Sequence, residues 1–386
     1  MVLRARGWFR RAARLSQVSS WAPPGGVPAT PAVLVDEARL DQNLRAMASR
    51  AAGRGLALRP HAKTHKSVEI ARRQLGHGAA GISVATLGEA ETFADAGLAE
   101  VFVAYPLWID RDRAPRLRAL AGRIQLMAGV DSLASVHQLA EAVRGHAELR
   151  VLVEVDCGLR RSGVAPADAG RIATAAARAG LAVDGVFTFP GHSYAPGMPA
   201  QAAADEAAAL SAAADSLAAA GLPCPVRSGG STPSAGPSID AARGPGSGTV
   251  TELRPGVYAF NDAQQVILGS CTLDQVALSV LATVVSTPAP DRFVLDAGAK
   301  VLGYDRPAWT PGHGRLPAFP EATVTGLWEH HAVAATGSGP RPAVGERVVV
   351  IPNHVCTTVN LVNELHVVQD GQVTERWPVD ARGRNT

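Results

Sequence analysis

From residue 30 onward, short apolar runs alternate with longer stretches whose apolar positions recur at helical spacing. Ala32–Val35 reads as a strand, and Asp36 caps a helix whose Leu40, Leu44 and Met47 share one face. Further runs follow at Gly55–Leu58, Gly81–Val84, Val101–Ala104, Ile124–Met127, Leu149–Val155, Val183–Phe187, Pro225–Arg227 and Glu252–Tyr258. Between them, Leu87–Ala96, Ser132–Val143, Ala167–Ala179 and Ala200–Ala220 carry Ala-rich helical patterns. A strand and a helix in regular alternation imply a parallel sheet, and eight such units counted from Gly55 imply a closed (β/α)8 TIM-type barrel.

The pattern changes near residue 265. Val276–Val285, Arg292–Asp296, Ala322–Trp328, Arg347–Ile351 and Asn363–Val368 read as strands, and helical periodicity is absent. Asp370-Gly371 is a hairpin signal ahead of Val373–Trp377. The expected chain is therefore α/β, a (β/α)8 barrel over 30–264 followed by a mainly antiparallel β domain over 265–386. Residues 1–22 are Arg-rich and without acids, and Pro23-Pro24-Gly25-Gly26 follows them. They lack the apolar core of a secretory signal, so 1–29 reads as a disordered tail, with a transit peptide over 1–22 as the other reading. Ala235–Gly248 reads as a Gly/Ser/Pro-rich loop.

Composition narrows the function. A 47% hydrophobic, 18% charged chain suits one large core. A net charge of +3, with no basic face beyond the N-terminus, argues against nucleic acid as a partner. The apolar runs are too short and interrupted for a membrane span. Four well-separated cysteines form no CxxC motif, so a reduced, cytoplasmic protein is expected.

The basic residues hold the strongest chemical signal. Only three are lysines, Lys63, Lys66 and Lys300. Arginine replaces lysine wherever a plain positive charge suffices, so the lysines that remain are candidates for chemistry arginine cannot do, such as losing a proton and forming an imine. Lys63 closely follows the first barrel strand, at the end where barrel enzymes carry their catalytic groups, and His61 and His65 flank it. It reads as a Schiff-base lysine, against the alternative of a surface lysine in a loop.

Other segments fall at the same end of the barrel. Arg227-Ser228-Gly229-Gly230-Ser231-Thr232-Pro233 follows the seventh strand, and Arg254-Pro255-Gly256-Val257-Tyr258 lies on the eighth. Small residues and hydroxyls there either cradle a phosphate or make ordinary turns. Arg161, after strand five, faces the mouth or pairs with a carboxylate. His192 and Tyr194, after strand six, bond a cofactor ring or pack. In the β domain, His354 and Cys356 stand at i and i+2 of an extended segment and so point the same way. Imidazole with thiolate suits zinc, and two buried residues are the other reading. Glu329-His330-His331 adds a candidate ligand or base.

Together these features resemble the fold-type III pyridoxal-phosphate enzymes, the alanine racemase-like proteins, and within them the D-threonine aldolase and D-serine dehydratase family. The segments are RPHAKTHK (59–66), DCGLRRSGV (156–164), GHSY (191–194), SGGSTPS (228–234), RPGVY (254–258) and PNHVCTTVNL (352–361). The resemblance implies pyridoxal 5'-phosphate on Lys63 and Arg161 at the barrel mouth. It places His192 and Tyr194 beside the pyridine ring, with Gly230, Ser231, Thr232, Gly256 and Tyr258 on the phosphate side. His354 and Cys356 would hold a divalent metal, zinc first and manganese second. It also implies that Ala32–Val35 joins the β domain, and that a homodimer forms in which each β domain covers the partner's site.

The implied chemistry acts on D-amino acids with a β-hydroxyl. Lys63 removes the Cα proton, the metal polarises the hydroxyl, and a keto acid and ammonia result, as in a D-serine dehydratase. Cys356 stands where the aldolase pattern has aspartate, which favours the dehydratases. The alternative is retro-aldol cleavage to glycine and an aldehyde, with His331 or a metal-bound base taking the hydroxyl proton. An amino-acid racemase is a third reading, for which Tyr304 is the only candidate second base. A non-catalytic carrier of the cofactor is the fourth, and residues 265–386 argue against it.

Overall fold

The computed structural model describes residues 21–26, 29–242 and 249–386. Most of the tail expected over 1–29, and the end of the Ala235–Gly248 stretch, lie outside the described residues. The chain forms two compact units. One comprises residues 44–258 with 380–386, the other 259–379 with the residues up to 43.

In chain order the first nine strands are β1 (Ala32–Asp36), β2 (Ala57–Leu58), β3 (Ile82–Val84), β4 (Glu100–Pro106), β5 (Gln125–Val130), β6 (Arg150–Glu154), β7 (Ala182–Phe187), β8 (Val226–Gly229) and β9 (Glu252–Leu253). Strands β3 to β9 and β2 make one all-parallel sheet in the order β3-β4-β5-β6-β7-β8-β9-β2. Its two ends meet through a parallel bridge between His61 and Ser83 and through bonds from Ala80 N–H to Leu58 O and Ser83 N–H to Pro60 O, each 2.8 Å. The eightfold β/α alternation read from the sequence is thus a TIM-type barrel.

Local chemistry sets the helix starts. Thr86 caps Leu87–Asp95 by accepting the Glu89 N–H, and Ser132 with Ser135 forms a capping box ahead of Leu133–Val143. Their apolar faces bury Phe93, Leu139 and their neighbours against the outward side chains of the strands, Val101 and Val151 among them. Inside the barrel a smaller cluster forms from Phe102, Met127, Leu152 and Phe187, with Phe102 and Phe187 edge to face at 5.0 Å. Gly129 makes this possible: a Cβ there would stand 2.7 Å from Phe187 Cζ.

A buried polar chain crosses the strand ends. Arg59 Nε donates to Glu252 Oε2 at 2.8 Å, and Ser228 Oγ donates to Glu252 Oε1 at 2.6 Å. Arg254 reaches Ser228 Oγ at 2.5 Å and Thr188 O at 2.6 Å, and Thr188 Oγ1 continues to Val155 O at 2.6 Å. The Arg254 guanidinium also lies 5.6 and 5.2 Å from the Phe102 and Phe187 ring centres. Glu206, fully buried in the helix Pro199–Ala219, supports the next loop, accepting from Gly230 N–H at 2.5 Å and Ser238 Oγ at 3.1 Å.

The remaining strands are β10 (Leu278–Ala289), β11 (Arg292–Leu295), β12 (Gly314–Arg315), β13 (Thr323–Leu327), β14 (Ala332–Ala335), β15 (Arg347–Pro352), β16 (Glu364–Gln369) and β17 (Gln372–Pro378). They join β1 in a mostly antiparallel sheet, β13-β14-β11-β10-β1-β16-β17, with β15 paired to β10 and β12. Asp370 and Gly371 both have positive φ, as the two-residue turn between β16 and β17 requires. Among the described residues no helix is long and apolar enough to cross a membrane. None of the four cysteines forms a disulfide.

Three sequence expectations are corrected. Helices do occur after the barrel, at Ala263–Ile267, Ala299–Leu302 and Val355–Asn360, and each is too short to display a period. The Ala235–Gly248 stretch is helical as far as Ala241, because the Ser231–Ser234 capping box nucleates Thr232–Ala241 and Ala235 and Ile239 are buried, despite Pro237. Glu252–Tyr258 is a strand only at Glu252–Leu253, where Pro255 and Gly256 follow, and turns at Val257–Ala259.

Truncating Phe187 to Ala should cost about 3–5 kcal/mol, because the ring is buried among Phe102, Met127 and Leu152 and its loss leaves a cavity; urea unfolding of the two proteins measures this. Burial pushes the Glu206 carboxyl from 4.5 up to about 7, while its two hydrogen bonds and Arg254 oppose the rise. The folded protein therefore holds this proton more tightly than the unfolded chain. Its contribution to stability is full below about 4.5 and is lost as pH rises towards and through about 7. Melting curves from pH 5 to 8 should show the wild type losing stability relative to Glu206→Gln across that window, and parallel curves would exclude the assignment.

Candidate active site

Lys63 sits in the single turn Ala62–Thr64 directly after β2, and His61 caps this turn by accepting the Lys63 N–H at Nδ1, 3.4 Å away. Its Nζ lies 5.5 Å from the centre of the Phe189 ring, and the Arg161 guanidinium lies 5.1 Å from the same ring. Two cations from loops after the first and fifth barrel strands thus converge on an aromatic residue after the sixth. Arg161 also faces Glu154 Oε1 at 3.9 Å. Burial holds the Glu154 carboxyl above its usual range, against the pull of Ser162 and Arg161.

The histidines beside Lys63 are neutral. Burial, then the charges of Lys63 and Arg254, hold His61 well below 6.5. Burial takes His65 to about 4, although its bonds with Gln74 and Ser67 resist the shift. His65 Nδ1 accepts the Ser67 N–H at 3.2 Å, so Nε2 carries the proton and donates to Gln74 Oε1 at 3.3 Å. Gln74 Nε2 in turn donates to Tyr258 Oη at 3.1 Å, which leaves the Tyr258 O–H as a donor.

The two phosphate-side loops are tied to each other. Tyr258 N–H donates to Thr232 Oγ1 at 3.0 Å, and Ser231 Oγ meets Ser193 Oγ at 2.7 Å while capping Thr232–Ala241. Gly256 is required for clearance, since a Cβ there would lie 2.5 Å from Thr64 Oγ1. Gly230 has φ +89° and its N–H is turned to Glu206, so it shapes this loop without offering that donor to an anion. His192 Nε2 pairs with Asp205 at 3.2 Å, and Tyr194 packs 6.5 Å from the Phe189 ring. The buried His192 Nδ1 and Glu154 Oε2 have no hydrogen-bond partner among the described residues.

In the other unit, the His354–Cys356 segment is not extended as its spacing implied. His354 is the residue before the helix Val355–Asn360, and Cys356 lies in its first turn. The two side chains are brought together by a helix start instead of by strand alternation. Burial lowers the His354 pKa, but Cys356 and Asp262 outweigh it and hold the value well above 6.5. Asn353 anchors the neighbouring loop by donating to Asp305 O at 2.8 Å and Gly312 O at 2.9 Å. His331 lies on the exposed turn between β13 and β14, where its carbonyl accepts the Trp328 N–H. Among the described residues no three His, Cys, Asp or Glu side chains gather as a metal cage.

Three residues escaped sequence reasoning. Phe189 stands two residues before the GHSY segment but carries no polar group. Glu206 is one acid on an Ala-rich helix. Asp262 shows only a helix-cap pattern before Ala263–Ile267, while its partner His354 lies far along the chain.

Two family models cover most of the chain, the alanine racemase N-terminal domain over 35–264 and a putative serine dehydratase domain over 277–368. A D-threo-3-hydroxyaspartate dehydratase of Delftia sp. (strain HT23) is 37% identical over 355 residues, 85% of this chain and 91% of that protein. A D-threonine aldolase of Arthrobacter sp. is 35% identical over 368 residues, 92% of this chain and 93% of its own length. A solved D-threo-3-hydroxyaspartate dehydratase variant in the metal-free form superposes with a TM-score of 0.82 at 34% identity, covering 91% of this chain and 97% of that one. With a barrel and a β domain that both match, this chain belongs to the fold-type III, alanine racemase-like family of pyridoxal-phosphate enzymes, in the branch that includes these dehydratases and aldolases.

Proposed function

We propose that the protein is a pyridoxal-phosphate- and metal-dependent lyase that dehydrates D-amino acids bearing a β-hydroxyl, giving a 2-oxo acid and ammonia. The observation that carries the reading is the donor set at His354 and Cys356. Imidazole and thiolate favour zinc over manganese, magnesium or calcium, which prefer oxygen ligands, and two protein ligands leave positions for water and a substrate oxygen. Retro-aldol cleavage to glycine and an aldehyde is the second reading, favoured by the aldolase relative that matches nearly the whole chain.

The barrel residues fit the cofactor. The buried His192 Nδ1, without a hydrogen-bond partner among the described residues, is a group the cofactor ring would use. Lys63 would hold it covalently, with Arg161, His192 and Tyr194 towards the ring and Ser231, Thr232, Gly256 and Tyr258 towards the phosphate. Gly230 contributes backbone shape. When bound, the cofactor supplies an electron sink for negative charge at Cα.

The chain's own groups do the rest. Lys63 Nζ takes the Cα proton, held in place by the turn that His61 caps. His61 is kept neutral, so it adds no charge beside that amine. Tyr258, fed by Gln74, keeps its hydroxyl proton for the phosphate. His354 and Cys356 would hold a divalent cation, whose chemistry there would be Lewis-acid polarisation of the β-hydroxyl. In the aldolase reading His331, on its exposed turn, would supply the base. The assembly we assign is a homodimer.

Purified holoenzyme incubated with D-serine, D-threonine and D-threo-3-hydroxyaspartate decides the matter. A 2-oxo acid with ammonia supports the dehydratase, glycine with an aldehyde the aldolase, the L-enantiomer alone a racemase, and no turnover a carrier. Lys63→Ala should abolish both turnover and the cofactor's visible absorption band, and borohydride should fix the cofactor on Lys63; a label on Lys66 or Lys300 would refute its role. Exhaustive chelation should stop β-hydroxyl chemistry while the absorption band persists. Unchanged turnover after chelation would return His354 and Cys356 to a structural role.

A further inference from the structure

The carboxylate of Asp262 is fully buried, and each of its oxygens has a defined task. Oδ1 accepts the Gln265 N–H at 2.9 Å and so caps the helix Ala263–Ile267. Oδ2 faces His354 Nδ1 at 3.2 Å and also accepts the Val355 N–H at 3.2 Å. The cap needs only one oxygen, and the second is spent on the ring of His354 and the backbone N–H of Val355, 92 and 93 positions away. A buried carboxylate is retained only where donors satisfy it, and the donor available on the ring is an Nδ1–H.

We propose that Asp262 is the positioning residue of the metal centre: by accepting the Nδ1 proton of His354 it fixes the imidazole tautomer and presents Nε2 to the cation. The inference rests on the reading that His354 and Cys356 hold a metal. The ring cannot flip without breaking the bond to Oδ2, and the same oxygen holds the backbone at Val355, one residue before Cys356. Ring and thiol are thereby held to one geometry by one side chain. The carboxylate also makes the imidazole a stronger electron donor to the metal.

Asn and Ser at this position still cap a helix, but neither carries the charge, and Ser does not reach as far. In Asp262→Asn and Asp262→Ser, prepared as full-length cofactor-loaded protein stripped of metal, zinc affinity measured by chelator competition should fall about 10- to 100-fold. The cofactor's visible band should stay close to wild type, which shows that each variant is folded and loaded. Wild-type zinc affinity in both variants overturns the proposal. His354→Gln and Cys356→Ala serve as references: if they too bind zinc like the wild type, the metal reading itself fails and takes this inference with it. If they lose zinc and the Asp262 variants do not, only the inference fails. A long-range 1H–15N spectrum of the wild-type zinc form, with the His354 signals identified by their absence in His354→Gln, tests the point without altering Asp262. The proton should be on Nδ1, and a proton on Nε2 overturns the proposal.

Discussion

The barrel is organised around charge that has to be buried. Arg59, Glu252 and Arg254 are each about 5–6% exposed, in a place where the strand ends leave little water. An unpaired ion there would be prohibitive, and breaking a buried pair is far costlier than never having built it. The chain Arg59–Glu252–Ser228–Arg254–Thr188 meets this demand with short bonds that stitch the ends of β2, β9 and β8 to the segment after β7. Because each link is directional, the network sets where those strands end, and therefore where the loops carrying Lys63, Phe189, Ser231 and Gly256 begin.

The loops inherit that precision and add constraints of their own. Gly256 tolerates no Cβ because Thr64, next to Lys63, stands in the way. The Tyr258–Thr232 bond makes the loops after the seventh and eighth barrel strands a single piece. Glu206 holds the Gly230 corner from behind at the expense of a carboxylate that is hard to ionise. A negative charge there would oppose a phosphate in front of the same loop, so a raised carboxyl pKa is compatible with an anion site. The second unit uses the same logic in smaller form. Asp262, wholly buried, draws its donors from Gln265, Val355 and His354, and its satisfaction is what orders the His354–Cys356 turn.

Much of this was legible in the residues. Short apolar runs alternating with stretches of helical period announced the barrel because strands and helices must each bury apolar side chains, and that demand is written locally. Asp370-Gly371 announced its hairpin because few residues accept positive φ. Lys63 stood out because lysine is almost absent elsewhere and only a lysine can form an imine. His354 and Cys356 were visible as a pair by residue type, although the reason they point together was misread. Strand alternation was assumed, whereas the chain turns into a helix at Val355 once Asp262 accepts its N–H.

What the sequence determined by itself was the order of elements and which residue types stand together, the scarce lysines of RPHAKTHK and the His354–Cys356 pair, all of them properties of neighbours along the chain. The tertiary structure alone decided which partners satisfy the buried groups. Glu206 with Gly230, Gln74 with Tyr258, and Asp262 with His354 join residues 24, 184 and 92 positions apart. Their attraction has no local signature, because a hydrogen bond depends on distance and angle in space. A carboxylate that is unremarkable in a string of alanines, or at the start of a short helix, acquires its role only when folding removes water from it and leaves it the few donors within reach.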